Sequence, residues 1–224
     1  VDTETTINDH VADFGALIVD REGKIFAECG VLVAEFYNTE KLFHDAKACD
    51  IWGFAGLHKR EENYRKMLES GSRMQASVNA VNRWLERVNA KYNPELTAYN
   101  LAFDLGKCKN SGIDLDIFQK RFCLWYSAAA HFADSKAYKN FVLSGHHFTS
   151  RTQYGNMTMK TNAEVMAAFV QGGEFIEEPH TALEDAKFFE LPILTAIVKK
   201  SKWREKSKAY SWRDYQVKNH FTAV

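Results

Sequence analysis

The stretch from Val11 to Val33 constrains the fold most. It is apolar and β-branched on both sides of a single polar loop, Asp20-Arg21-Glu22-Gly23. Glycine can supply the positive φ that a four-residue hairpin loop often needs, so the segment reads as a β-hairpin. Residues 38–70 change character: Thr39 to Ala46 and Glu61 to Leu68 are short helical candidates, with Gly53 and Gly56 breaking the run between them. Ser72-Arg73-Met74-Gln75 has the form of a capping box, and Met74, Val78, Val81, Leu85 and Val88 recur behind it at the spacing of one helical face. Asn93-Pro94 ends that helix. Leu96-Thr97-Ala98-Tyr99 is then a short strand leading into Asn100-Leu101-Ala102-Phe103-Asp104. The run from Phe122 to Tyr126 reads as a second buried strand, with a helix from Ser127 to Ala133. Strand, helix, strand, helix is a parallel α/β rhythm.

Two further capping boxes, Thr161-Asn162-Ala163-Glu164 and Thr181-Ala182-Leu183-Glu184, open apolar-periodic helices. The second leaves His180 just outside its helix and Asp185 early inside it, while Pro192 is placed to kink or divide that helix. There is no internal repeat or linker, so the expectation is one domain over residues 1–198 with a basic, aromatic extension of the same domain over 199–224.

The chain has 224 residues, 46% of them hydrophobic, and only 3 Pro, which excludes a disordered or collagen-like chain. At this length roughly 70–75% of the unfolded surface can be buried, so neither disulfide nor structural metal is needed for stability. No run approaches the ~18 apolar residues of a spanning helix, and Val1-Asp2-Thr3-Glu4 lacks the order of a signal peptide. A cytoplasmic protein without a membrane partner is expected. Cys29, Cys49, Cys108 and Cys123 stand singly, as small buried hydrophobes rather than a disulfide or zinc framework. The net charge is zero, but Lys+Arg against Asp+Glu runs 4 to 11 over residues 1–50, 14 to 9 over 51–150, 3 to 7 over 151–198 and 8 to 2 over 199–224. An acidic centre that holds cations beside basic segments that hold a polyanion fits this pattern, and so does an ordinary solvated surface.

Three segments each bring a carboxylate to a strand end or a helix start: Asp2-Thr3-Glu4, Phe103-Asp104, and His180 with Asp185. Carboxylates gather where something positive sits, and magnesium and manganese take oxygen ligands. Two such ions ~4 Å apart can hold the attacking water and the leaving oxygen of a phosphodiester in line. Asp2 and Glu4 are alternate residues, so on a strand both face the same way.

Together the segments resemble the DnaQ-like, or DEDDh, family of 3′-to-5′ exonucleases. Asp2-Thr3-Glu4 is similar to its D-x-E motif, Asn100 to Asp104 to its N-x-x-F-D, and His180 to Asp185 to its H-x-x-x-x-D, in that order. The resemblance implies a ribonuclease H-like α/β fold, with a mixed five-stranded sheet flanked by helices. It implies that Asp2, Glu4, Asp104 and Asp185 hold two divalent cations, Mg²⁺ or Mn²⁺, and that His180 is the general base. An imidazole titrating near pH ~6.5 suits that role independently. Thr3 and Thr5, with Asn100 and Phe103, would meet the terminal nucleotide, Phe103 having simple core packing as its alternative. In this family several apolar residues precede the first motif; here Val1 alone does, and residues upstream of Val1 are expected.

His146-His147, beside Ser144, Gly145 and Thr149, reads as a polar loop rather than a metal pair, and Ser144-Gly145-His146 is not a nucleophile elbow. Lys199, Lys200, Lys202, Arg204, Lys206, Lys208, Arg213 and Lys218 interleave with Trp203, Tyr210, Trp212, Tyr215 and Phe221. Lys202 and Arg204 are therefore candidate contacts to single-stranded nucleic acid beyond the active site, and a solvated helix whose aromatics dock on the core is the alternative. The expected activity is release of nucleoside 5′-monophosphates from a free 3′ end. Single-stranded DNA is the first choice of substrate and RNA the second, and a non-catalytic binding module on the same fold is the rival class.

Overall fold

The computed structural model describes residues 1–43, 60–149 and 157–217. A four-stranded mixed sheet in the order β1-β2-β3-β4 lies at the centre of a mixed α/β chain. β1 (Asp2–Thr5), β2 (Val11–Val19) and β3 (Ile25–Val33) are antiparallel in turn, and β4 (Met74–Ala76) runs parallel to β3. The hairpin lies where the sequence predicts it: Gly23 takes φ 90°, and Asp20 Oδ1 accepts from the amides of Glu22 and Lys24.

Helices α1 (Ala34–Tyr37), α2 (Arg60–Ser70) and α3 (Val78–Tyr92) come from the first half of the chain. β5 (Leu96–Ala98), α4 (Leu101–Asn110) and β6 (Arg121–Cys123) follow, then α5 (Leu124–Ala128) with a π turn at Ala129–Ala133, and α6 (Lys136–Ser144). β7 (Met157–Thr158) precedes α7 (Ala163–Gln171) and α8 (Ala182–Asp185). A π turn at Ala186–Glu190 joins α8 to α9 (Leu191–Val198), and β8 (Gln216–Val217) pairs with β7.

Among the described residues the strands form the four-stranded sheet and two separate pairs. β5 and β6 are a separate parallel pair, which β1 meets through the Val1 amino group donating to Thr97 O at 2.9 Å. β1 pairs with β2 from Asp2 opposite Gly15. β2 continues past that point, and its Leu17 and Val19 border an apolar groove of about 570 Å³ with Val88, Leu96 and Leu194.

One face of the hairpin, including Phe14, Ala16, Val31 and Val33, packs on Val81 and Leu85 of α3 and Cys108 of α4. Burial of each large aliphatic side chain there contributes about 1.5–3 kcal/mol. On the other face Gly15 pairs with Gly30. A β-carbon at Gly15 would overlap the Ala182 carbonyl, and one at Gly30 would meet the Arg73 guanidinium and Leu183. These two glycines let the first turn of α8, carrying the third motif, lie directly on the sheet.

Several sequence expectations change here. α3 begins at Val78, where Ser77 Oγ accepts from the Ala80 amide, and Met74 is an exposed residue of β4. The Arg73 side chain turns inward to a buried aspartate while Met74–Ala76 pairs with Val31–Val33, and both outweigh helical periodicity. The strand expected from Phe122 to Tyr126 ends at Cys123, because Leu124 already begins a helix. A short helix at Ala34–Tyr37 precedes the one expected from Thr39 to Ala46, and Thr39 Oγ1 donates to Glu35 O at its end; Phe43 is helical, and residues 44–46, Gly53 and Gly56 lie outside the described residues. α2 contains the run from Glu61 to Leu68.

The N-caps of α7 and α8 are Asn162 and Thr181, and neither side chain caps its helix. Glu164 accepts from Asn162 Nδ2 and the Glu178 amide, and Glu184 accepts from Arg73, so neither capping box closes. Pro192 falls in the first turn of α9, and the helix widens into the π turn ahead of it instead of breaking there. The Phe188 carbonyl, four residues before the proline, accepts from Gln171 Nε2 at 3.4 Å.

Cys29, Cys108 and Cys123 are free thiols, and Cys49 lies outside the described residues. In the C-terminal extension Trp203 and Tyr215 are buried, and Tyr210 stacks on Trp125 with ring centroids 4.4 Å apart. Lys208 pairs with Asp134 and Asp214. Trp203, Tyr210 and Tyr215 are thus used against the core, through two 3₁₀ turns rather than a helix, while Trp212 is exposed and Lys218 and Phe221 lie outside the described residues. Among the described residues no helix is long and apolar enough to cross a membrane.

Candidate metal centre

Each motif reaches the same cleft by a different element. Asp2 and Glu4 sit opposite Gly15 and Asp13 on β1. Asn100 takes φ 75° at the start of α4, which places Asp104 in the first helical turn. His180, at φ 54°, precedes α8 and Asp185 lies within it. These five line a cleft of about 520 Å³, as do Thr3, Thr5, Asn100 and Phe103. One ligand atom from each of Glu4, His180 and Asp185 falls within 4.8 Å of the others, and His180 Nδ1 is 3.7 Å from Glu4 Oε1. Thr3 Oγ1 donates to Asp104 Oδ1 at 2.9 Å, holding that carboxylate toward β1.

Phe103 is 44% exposed, with the Lys107 ammonium 4.8 Å from its ring centroid. It is a cleft residue and not part of the core. Thr3 and Thr5 are buried. The other two sequence candidates are not brought to the cleft: Lys202 pairs with Glu205, while Arg204 binds Glu95 and borders the apolar groove. His147 stacks on Phe141 in the α6 loop, outside both metal-capable groups found among the described residues.

Three carboxylates that the motifs do not contain join the cleft, Asp9, Glu178 and Glu190. Glu190 is a lone charge in the apolar run from Phe188 to Val198, which is the signal that could have marked it. The π turn directs it inward, where it accepts from the Tyr99 amide at 2.8 Å. Glu164, Glu178 and His180 form a second metal-capable group.

The crowding shows in the acidities. Desolvation and then Glu190 push Asp104 up to about 8, and desolvation followed by Glu178 and Glu4 pushes Asp185 up to about 10. Glu178 rises to about 8 through burial and Glu164, and Asp2 is raised by desolvation, Glu190 and Asp104. Asp185 Oδ1 is buried with no hydrogen-bond partner among the described residues. Converging carboxylates, an orphaned buried oxygen and mutual repulsion are what a hard divalent cation relieves, so the donor set fits Mg²⁺ or Mn²⁺.

Carboxyls raised in the folded state stabilise it most at low pH, and that contribution is lost as pH rises through about 8 and about 10. The metal-free protein is therefore expected to lose stability between about pH 7 and about pH 9. Mn²⁺ at ~100 times its Kd should return about 2.7 kcal/mol, with tighter binding at the higher pH because protons must leave first. Thermal melts in EDTA and in Mn²⁺ at both pH values check this, and superimposable melts would contradict it.

Behind the cleft lies a buried polar cluster. Asp13 Oδ2 accepts from Tyr64 OH at 3.0 Å, the Ala182 amide at 2.9 Å and Arg73 Nη2 at 3.2 Å. Arg73 also reaches Glu184 at 2.5 Å. α2, the lead-in to β4 and α8 thus meet at one carboxylate. Burial pushes Asp13 up to about 6 against the pull of Arg73 and the Ala182 amide, which leaves it ionised at neutral pH.

Comparison of the chain with known protein families, curated proteins and solved structures finds no match.

Proposed function

We propose that the chain is a metal-dependent 3′-to-5′ exonuclease of the DEDDh type, hydrolysing single-stranded DNA, with RNA as the second substrate to test. The observation that carries this reading is convergence: Asp2, Glu4, Asp104, Asp185 and His180 come from three separate segments and line one cleft. The ribonuclease H-like arrangement belongs to the same proposal, with β1 between β2 and the β5-β6 pair.

Asp2, Glu4, Asp104 and Asp185 would hold the cations. When bound, two divalent ions polarise the scissile phosphate, acidify water and offset charge on the leaving oxygen. His180 takes the proton as water attacks phosphorus. The bond to the 3′-oxygen of the preceding nucleotide breaks, a nucleoside 5′-monophosphate leaves, and the 3′-oxygen collects a proton from solvent. Lying on the segment ahead of α8, His180 can approach the water without displacing the ligands. Thr3 orients Asp104, and Asn100 and Phe103 border the space for the terminal nucleotide.

His180→Ala should lower the rate by ~10²–10⁴-fold while the stabilisation by Mn²⁺ persists. Single-turnover rates and melts on the same variant check both halves. A variant that also loses the Mn²⁺ response would make His180 a ligand, a role its place beside Glu4 and Asp185 also permits.

A further inference from the structure

Among the described residues, Lys107 is the one Lys or Arg that lines the acidic cleft. It lies three residues beyond Asp104 on α4, so the two share a helix face with their β-carbons about 5–6 Å apart. Its ammonium is 2.5 Å from Asp9 Oδ1, and its side chain is only 17% exposed. Asp9 itself takes φ 66° in the turn after β1, and its side chain is 58% exposed. A lysine held one turn from the proposed ligands, at the mouth of a cleft with seven carboxylates, lies where a polyanionic substrate meets its strongest repulsion.

We propose that Lys107 binds the phosphate next to the scissile one on its 5′ side, exchanging Asp9 for that phosphate when a strand enters. The inference rests on the exonuclease reading and adds a binding position to it. One charge-assisted contact fixes the strand's register: the scissile linkage lies over the carboxylates, and the next phosphate is held one helical turn away. Phe103, beneath the ammonium, lies between the space for the terminal nucleotide and the base that the two phosphates flank. Asp9 keeps the ammonium at the rim when no strand is bound.

The test is kinetic, in Mn²⁺, on a single-stranded oligonucleotide with ordinary linkages and on the same oligonucleotide with an uncharged methylphosphonate at the linkage 5′ of the scissile one. For the wild type the uncharged linkage should raise KM roughly tenfold with little change in kcat. Lys107→Met should raise KM similarly on the ordinary strand and show almost no further penalty on the modified one, with its salt slope smaller by about 0.7. Lys107→Arg should recover most of the loss, and Asp9→Asn, which suits a left-handed backbone, should lower KM two- to three-fold. An equal methylphosphonate penalty in wild type and Lys107→Met overturns the assignment and leaves the exonuclease reading intact. No hydrolysis of either strand by the wild type overturns both.

Discussion

Asp104→Ala should lower 3′-end hydrolysis by at least ~10³-fold, since a metal ligand supports several kcal/mol of transition-state stabilisation and each 1.36 kcal/mol is tenfold in rate. Asp104 is almost fully buried, its carboxylate oriented by Thr3 and crowded by Glu190. At about pH 9, where its carboxyl is ionised, removing it takes away charge as well as a ligand, so two effects separate. In EDTA the variant should melt no lower than wild type, because repulsion is relieved; in Mn²⁺ it should lack most of the metal-induced shift. A variant that is inactive, poorly folded and still responsive to metal would give Asp104 a structural role instead. Near-normal activity would remove the cleft from the account altogether.

The second large effect lies behind the cleft. Arg73→Met should destabilise the fold by about 3–5 kcal/mol, because Asp13 loses its counter-ion and its buried carboxyl must either stay charged or take up a proton. Both side chains are fully buried, and the same carboxylate holds the Ala182 amide that opens α8. Adding Asp13→Asn to Arg73→Met should restore much of the loss: the amide oxygen can still accept from Ala182 and Tyr64 while carrying no charge. Urea unfolding of the two single variants and the double variant measures this. A double variant as weak as Arg73→Met alone would attribute the loss to the packing of the long arginine side chain over Gly30 of the sheet.

The parts of the site legible in the sequence are those where chemistry requires a residue type. Asp2, Glu4, Asp104, His180 and Asp185 stand out because carboxylates and a histidine recur in a fixed local context, and all five meet in one cleft. Val81, Leu85 and Val88 were equally readable, since a buried helical face repeats every three to four residues. Met74 extended that spacing by one turn, and nothing local distinguishes a chance match from a true face. Only the tertiary pull of Asp13 on Arg73 decides it.

Glu178 and Glu190 were not singled out, because an isolated glutamate is ordinarily a surface residue and only the π turn brings Glu190 inward. Lys202 and Arg204, read as contacts beyond the active site, lie outside the cleft and pair with Glu205 and Glu95. Basic and aromatic residues interleaved in sequence suggest a strand-binding surface, yet Trp203, Tyr210 and Tyr215 are packed against the core and Arg204 is held by Glu95. The five-stranded sheet was expected from resemblance alone, and the described strands form a four-stranded sheet with β5 and β6 as a separate pair.

The most direct test is degradation of 3′- and 5′-labelled single-stranded DNA and RNA of identical sequence, in Mg²⁺, in Mn²⁺ and in EDTA, with Asp104→Ala alongside. The account predicts metal-dependent loss of the 3′ label as mononucleotide, progressive shortening of the 5′-labelled strand, and neither in EDTA nor with the variant. Strands that stay intact in every metal, or are cut internally in EDTA, would contradict it; intact strands that still bind would make the protein a binding module.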